Sequence, residues 1–271
     1  MPGGGRGPQH FDCWGWSNDS LEAARKAARE KAERVAQHLR MTQRPPDRYS
    51  YGTRPLREQV LRSMPRTDGS LAAAITRNQY GCLVLNTAGA MFVDIDIPEL
   101  EPPRSRGFLF FRKPKPVPEE EIVRPHLQRV EHWSAARPDW SWRIYRTRAG
   151  LRLLATHALV DPGTAEPIFK ALGTDPLYQK LCANQKSFRA RLTPKPWRID
   201  HHIASVKWPW PNEKVEASFN RWEKTYLEKS ANFATCRFLK AIGPATVHPE
   251  ISPLIELHDQ STQAHASLNL A

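Results

Sequence analysis

The chain has 271 residues, 40 of them Lys or Arg against 28 Asp or Glu, for a net charge of +12, and 40% of it is apolar. That is enough for one large core or two small ones and excludes a wholly disordered chain. No run reaches the roughly 20 apolar residues of a membrane span, and the first residues lack the apolar stretch of a secretory signal. Cys13, Cys82, Cys182 and Cys236 are too scattered for a zinc ribbon or a disulfide framework, so reduced thiols and a cytoplasmic location are expected, with Cys82 and Cys182 in the core.

Residues 1–18 are Gly-rich and read as a flexible arm carrying Trp14 and Trp16. Asp19-Ser20-Leu21-Glu22 has capping-box spacing and opens a helix to about Arg40. Its Arg25, Lys26, Arg29, Lys31 and Arg34 are interleaved with glutamates, as on a solvated face laced with ion pairs. Arg44-Pro45-Pro46-Asp47 ends it, and a second helix is expected over 55–64, making 19–78 an N-terminal helical region. Cys82 to Leu85 and Ala90 to Ile97 then read as a β-hairpin across Asn86-Thr87-Ala88-Gly89. Residues 100–118, rich in proline and basic side chains, read as a loop, and a helix is expected over 119–135.

Trp140 to Arg146 and Leu151 to His157 form a second predicted hairpin, followed by helices near 164–172 and 175–184 and a strand from Phe188 to Ile199. A loop with Trp208 and Trp210 closes the 79–212 core. The 213–271 region is expected to hold a helix over 213–230, a short one near 232–241 and a frayed end. This order predicts an α+β fold with one mainly antiparallel sheet flanked by helices, extended by helices at both ends.

The charge is the first functional indication. A field of this sign draws phosphate polyanions, and arginine, abundant here, suits phosphate better than lysine. Exposed-looking aromatics such as Tyr49, Tyr51 and Phe108 to Phe111 stand among the basic residues. Within Phe92-Val93-Asp94-Ile95-Asp96, strand alternation puts Asp94 and Asp96 on one face, about 7 Å apart. Mg²⁺ or Mn²⁺ would relieve their repulsion, and carboxylates plus substrate phosphates are the usual ligands of such ions. The alternative is an edge strand with a wet face.

Around the second hairpin, Arg146, Arg148 and Arg152 have the chemistry to hold a triphosphate, as has His157, and Gly150 to let a ligand approach the backbone. Arg189, Arg191, Lys195 and Arg198 form a basic run suited to a nucleic-acid strand, with Trp208 and Trp210 to stack bases. Asp200 is the candidate third carboxylate, with Asp161 and Asp175 as alternatives that equally read as helix caps. No G-x-x-x-x-G-K-S/T or G-x-G-x-x-G occurs, which argues against an ATPase or a dinucleotide enzyme.

In this order the motifs resemble the archaeo-eukaryotic primase superfamily, particularly bacterial primase-polymerases, over residues 80–202. Phe92 to Asp96 matches that family's acid motif, and Ala155-Thr156-His157 its small-x-His motif. Ile199-Asp200 stands at its last acid motif, with Arg198 where the pattern has an apolar residue. The resemblance implies an RRM-like sheet, Asp94 and Asp96 as catalytic metal ligands, and His157 or nearby arginines gripping a nucleoside triphosphate. The function expected is nucleotidyl transfer on single-stranded DNA or RNA. A non-catalytic nucleic-acid-binding protein and a metal-dependent nuclease are the alternatives.

Overall fold

The computed structural model describes Cys13, Gly15 and residues 20–42, 58–97 and 118–271. The chain divides into two compact units, Met1–Pro55 and Leu56–Ala271. In the first, α1 (Leu21–Thr42) has no buried residue, as its charge pattern predicts. Ser20 caps it by accepting the Ala23 N–H at Oγ, 3.0 Å away. Trp14, Trp16, Tyr49, Tyr51 and residues 98–117 lie outside the described residues.

The second unit begins with β1 (Gln59–Pro65), β2 (Leu71–Arg77), β3 (Leu83–Thr87) and β4 (Phe92–Asp96). After α2 (Glu119–Ala135) come β5 (Trp142–Thr147) and β6 (Gly150–Ala155), then α3 (Glu166–Leu172), α4 (Pro176–Gln185) and β7 (Phe188–Arg191). The chain continues through α5 (Glu213–Ser230), β8 (Phe233–Ala234), β9 (Cys236–Ile242), α6 (Ser252–Thr262) and β10 (Asn269–Leu270). The fold is α+β, with two antiparallel four-stranded sheets, β1-β2-β3-β7 and β4-β6-β5-β9, flanked by helices. A two-stranded parallel pair joins β10 to β8.

Both β4 and β5 are antiparallel to β6, which lies between them. They therefore run parallel, and β4-α2-β5 is a split β-α-β crossover. α2 covers one face of this sheet, where Trp133 meets Trp142 with ring centres 5.9 Å apart. α6 covers part of the other, with the His258 ring 4.7 Å from Tyr145 and 5.4 Å from Phe92. One continuous apolar core reaches from Leu85 and Phe188 of the first sheet to Val93, Ile144 and Leu153 of the second. Cys82 and Cys182 are both buried in this unit.

The helices expected over 119–135, 164–172, 175–184 and 213–230 are present, as is the second hairpin. Other local expectations are corrected. The 55–64 helix is the strand β1, and β1 and β2 make 59–77 part of a sheet, because pairing overrides the helix-favouring Glu58, Gln59 and Leu61. The Asp68-Gly69 turn between them is a hairpin signal: Gly69 has φ 82, and Asp68 Oδ1 accepts the Ser70 N–H at 2.8 Å. β3 and β4 do not form a hairpin but enter different sheets. Thr87 Oγ1 donates to Ala90 O at 2.6 Å, and Met91 O accepts from Ala155 N–H at 3.0 Å, which ties the turn to the end of β6.

The strand from Phe188 ends at Arg191, since Pro194 and Pro196 cannot donate to a ladder, and a single 3-10 turn follows over Pro196–Arg198. Residues 232–241 form strands rather than a helix: in β9 every second residue, from Cys236 to Ile242, turns inward. The final segment is ordered into α6 and β10, with Ala271 buried.

Gly150, expected to admit a ligand, instead admits a strand. A Cβ there would stand 1.9 Å from Ile95 O of β4. Gly150→Ala is expected to lower stability by about 3 kcal/mol, read from urea unfolding, because the neighbouring group is backbone and cannot swing aside.

Candidate active site

The register of β4 on β6 sets Asp94 opposite Arg152 and Asp96 opposite Gly150, so both carboxylates share the face that α6 partly covers. Val93 and Ile95 point the other way and are buried. Asp94 is half-buried and Asp96 exposed. α4 brings a third carboxylate. Asp175 N–H donates to Asp94 O at 2.9 Å, and its side chain caps α4 by accepting from Tyr178 N–H at 2.8 Å. The Tyr178 hydroxyl lies 3.0 Å from both Phe92 O and Arg189 O, bridging β4 to β7 across the two sheets.

The cations come from the segment after β7. Burial, Asp94 and Asp175 push the Asp96 carboxyl above its ordinary range, while Lys195 and Arg198 pull it down. Burial, then repulsion from Arg191 and Arg198, lowers the Lys195 ammonium against the pull of Asp96 and Asp94. Burial likewise lowers the Arg191 guanidinium, with Arg152 repelling it and Asp94 attracting it, and its Nε is buried with no hydrogen-bond partner. α5 fixes this segment. The Tyr226 hydroxyl lies 2.6 Å from Pro194 O and 2.8 Å from Thr193 Oγ1, and Thr193 Oγ1 also accepts from Leu83 N–H at 2.9 Å.

Arg152 is only 4% exposed. Its Nη1 donates to Arg191 O at 2.8 Å and lies 3.3 Å from His258 Nε2, and its Nε stands 3.8 Å from Asp94 Oδ1. A guanidinium has only donors, so His258 must accept at Nε2 and carry its proton on Nδ1. That proton is donated to Asp259 Oδ1 at 3.0 Å. The other oxygen, Oδ2, takes Arg143 Nη2 at 2.6 Å and His265 Nε2 at 3.0 Å. Burial pushes His258 down to about 4. Burial alone would raise Asp259, but hydrogen bonds from His258 and Tyr145 hold it well below the carboxylate range. The Cys236 Sγ stands 3.8 Å from His258 Nε2, yet burial raises that thiol and neither side chain reaches the surface, so this Cys-His-Asp trio has no access to a substrate.

Asp94, Asp96, Arg152, Arg191, Lys195 and Arg198 thus lie within electrostatic reach of one another, as does Asp175, while Asp200 lies apart. Asp200 itself is exposed, and its backbone oxygen takes the Lys229 ammonium at 2.7 Å. Arg148 stands exposed on the turn whose Ala149 O accepts from Ile97 N–H at 2.8 Å, at the Asp96 end of the sheet. Arg146 is on the opposite face from the acids, and its Nη1 donates to Thr147 O and, at 2.7 Å, to Gly150 O. His157 lies past the end of β6, ~15 Å along the chain from Arg152, with its ring 4.3 Å from that of Trp140.

Arg189 is held by Glu58 at 2.7 Å and Asn86 at 2.6 Å. Trp210 packs on Phe219 with ring centres 4.5 Å apart, while Trp208 is exposed. Sequence reasoning missed His258 and Asp259 and gave Trp197 no role. Among the described residues no group of three or more His, Cys, Asp or Glu is arranged to hold a metal ion. No helix there is long and apolar enough to cross a membrane. No family model matches the chain, and no curated protein or solved structure was found to be similar to it.

The His258 arrangement carries a pH signature. Its pKa falls from 6.5 to about 4 on folding, so between those values the unfolded chain binds a proton that the folded chain does not. Its contribution is complete above pH 6.5 and is lost on acidification, by about 3 kcal/mol in all. Urea midpoints measured from pH 7 to pH 4.5 should fall more steeply for the wild type than for His258→Gln. Asp259 destabilises in the same sense only below the carboxylate range, outside that window.

Proposed function

We propose that the chain is a metal-dependent nucleotidyltransferase of the primase-polymerase kind, acting on single-stranded nucleic acid with nucleoside triphosphates. The observation that carries this reading is the meeting of Asp94, Asp96 and Asp175 with Arg191, Lys195 and Arg198 at one end of a sheet. A pair of carboxylates on one strand face with cations in electrostatic reach suits a substrate that brings both phosphate and a dication. The split crossover with the acid pair on its first strand agrees with the primase resemblance.

The residues present fit Mg²⁺ or Mn²⁺ in their chemistry: Asp94 and Asp96 offer hard carboxylate oxygens on one face of β4, and burial first, then Asp94 and Asp175, raises Asp96 in a way a dication would offset. Asp94 and Asp96 would hold it, leaving further positions to phosphate oxygens and water. When bound, such an ion withdraws charge from the phosphoryl oxygens and makes a hydroxyl a better nucleophile.

The side chains do the remainder. Lys195, Arg191 and Arg198 neutralise phosphate charge, and Arg148 reaches solvent at the same end of the sheet. Arg152 is too buried to grip a triphosphate and serves to hold Asp94. In the reaction a 3′-oxygen bonds to the α-phosphorus and the bond from it to the bridging oxygen breaks. Pyrophosphate leaves, and the hydroxyl proton passes to solvent.

The test is synthesis of labelled product on single-stranded DNA with Mg²⁺ or Mn²⁺. Asp94→Asn/Asp96→Asn should lower the rate by at least about 10³-fold, and chelation should abolish it; Asp96→Asn alone, which keeps the Asp94–Arg152 pair, should lower the rate with the melting temperature little changed. Unchanged synthesis in the double variant would overturn the reading. Bound template with no product in the wild type would make the chain a binding module, and metal-dependent cutting would make it a nuclease.

A further inference from the structure

Trp197 is 47% exposed, more than any other tryptophan among the described residues. Leaving so large an apolar ring in water forgoes stabilisation that burial would supply, and its surroundings hold it there. It sits in the Pro196–Arg198 turn, whose Pro196 is buried and whose Arg198 N–H donates to Lys195 O at 2.9 Å. The Tyr80 ring meets it at 5.4 Å and 80°, edge against face rather than stacked. Tyr226 ties down Pro194 just before the turn. The indole is therefore fixed in place on the surface.

Its charged neighbours point to what it binds. Lys195 and Arg198 flank it in sequence, and both act on Asp96. The Lys195 ammonium lies 5.5 Å from the indole centre, against the ring. An exposed aromatic ring with one cation over it and a second next to it in sequence matches the chemistry of single-stranded nucleic acid, in which each base offers a flat apolar face and each phosphate a negative charge. Trp208, also exposed, follows Lys207 in a separate loop.

We infer that Trp197 is the base-stacking platform that receives single-stranded nucleic acid at the mouth of the Asp94–Asp96 site, with Lys195 and Arg198 on the phosphates either side of the stacked base. The inference rests on the reading of that site as one for nucleic acid, but not on its catalysing synthesis.

The experiment is fluorescence anisotropy of a labelled 20-nucleotide oligo-dT titrated with the full chain, without nucleotides or divalent metal. Trp197→Ala should weaken binding about 10-fold or more, and Trp197→Phe, which keeps a π-face, should recover most of it. The dependence on salt should keep its slope in both, since the phosphate contacts remain. Trp208→Ala serves as the comparison, and thermal melting checks that each variant is folded. Wild-type affinity in Trp197→Ala would overturn the inference, as would equal losses in the Ala and Phe variants or no binding by the wild type. Trp197-dependent binding by a chain that makes no product would sustain the platform while overturning the polymerase reading.

Discussion

Arg152 is a permanent cation on a central strand, shut away from water, and a buried cation left without partners costs several kcal/mol. Each of its partners comes from a different part of the chain. β4 supplies Asp94, the end of β7 supplies the Arg191 carbonyl, and α6 supplies His258. The requirement to satisfy one guanidinium thus fixes where a second sheet begins and why a late helix lies across the first. It also fixes a histidine tautomer, because a donor-only group leaves His258 one way to face it. Asp259 then has to be an anion, and Arg143 has to lie beside it.

The site takes its shape from the seam between the two sheets. β7 pairs with β3 but stays beside β4 through the Tyr178 hydroxyl, and the segment leaving β7 crosses in front of the acids. Proline prevents that segment from continuing as a strand, and Tyr226 of α5 holds it with Trp197 exposed and with Lys195 and Arg198 in electrostatic reach of Asp96. The carboxylates stand on a rigid strand, and the cations on a short turn braced from behind.

The elements that could be read from the sequence are those whose pattern is local. Alternation alone put Asp94 and Asp96 on one face, and the glycine at residue 150 marked the turn of the second hairpin. Asp68-Gly69 carried an equally local signal, outweighed by helix-favouring residues before it. β9 alternates just as clearly, but its Leu239, Lys240 and Ala241 also suit a helix, and only its partner β5 decides between them. The order of motifs grouped His157 and Arg146 with the acids, and the structure sets both apart from Asp94 and Asp96. The first lies beyond the end of its strand and the second is out of phase with the acids by one residue, a distinction that depends on exact register. His258 could not have been found this way. Nothing near it in sequence shows that an arginine 106 residues earlier needs an acceptor.

That separation has a bearing on how the molecule comes into being. As the chain is made, Arg152 leaves the ribosome 106 residues ahead of His258, a delay of ~5–20 s at ordinary elongation rates. Through that interval Arg152 has Asp94 and then the Arg191 carbonyl beside it, but not yet the acceptor that His258 supplies. The face of the sheet that carries Asp94 and Asp96 is thereby left partly uncovered until α6 arrives to pack on Phe92 and Tyr145.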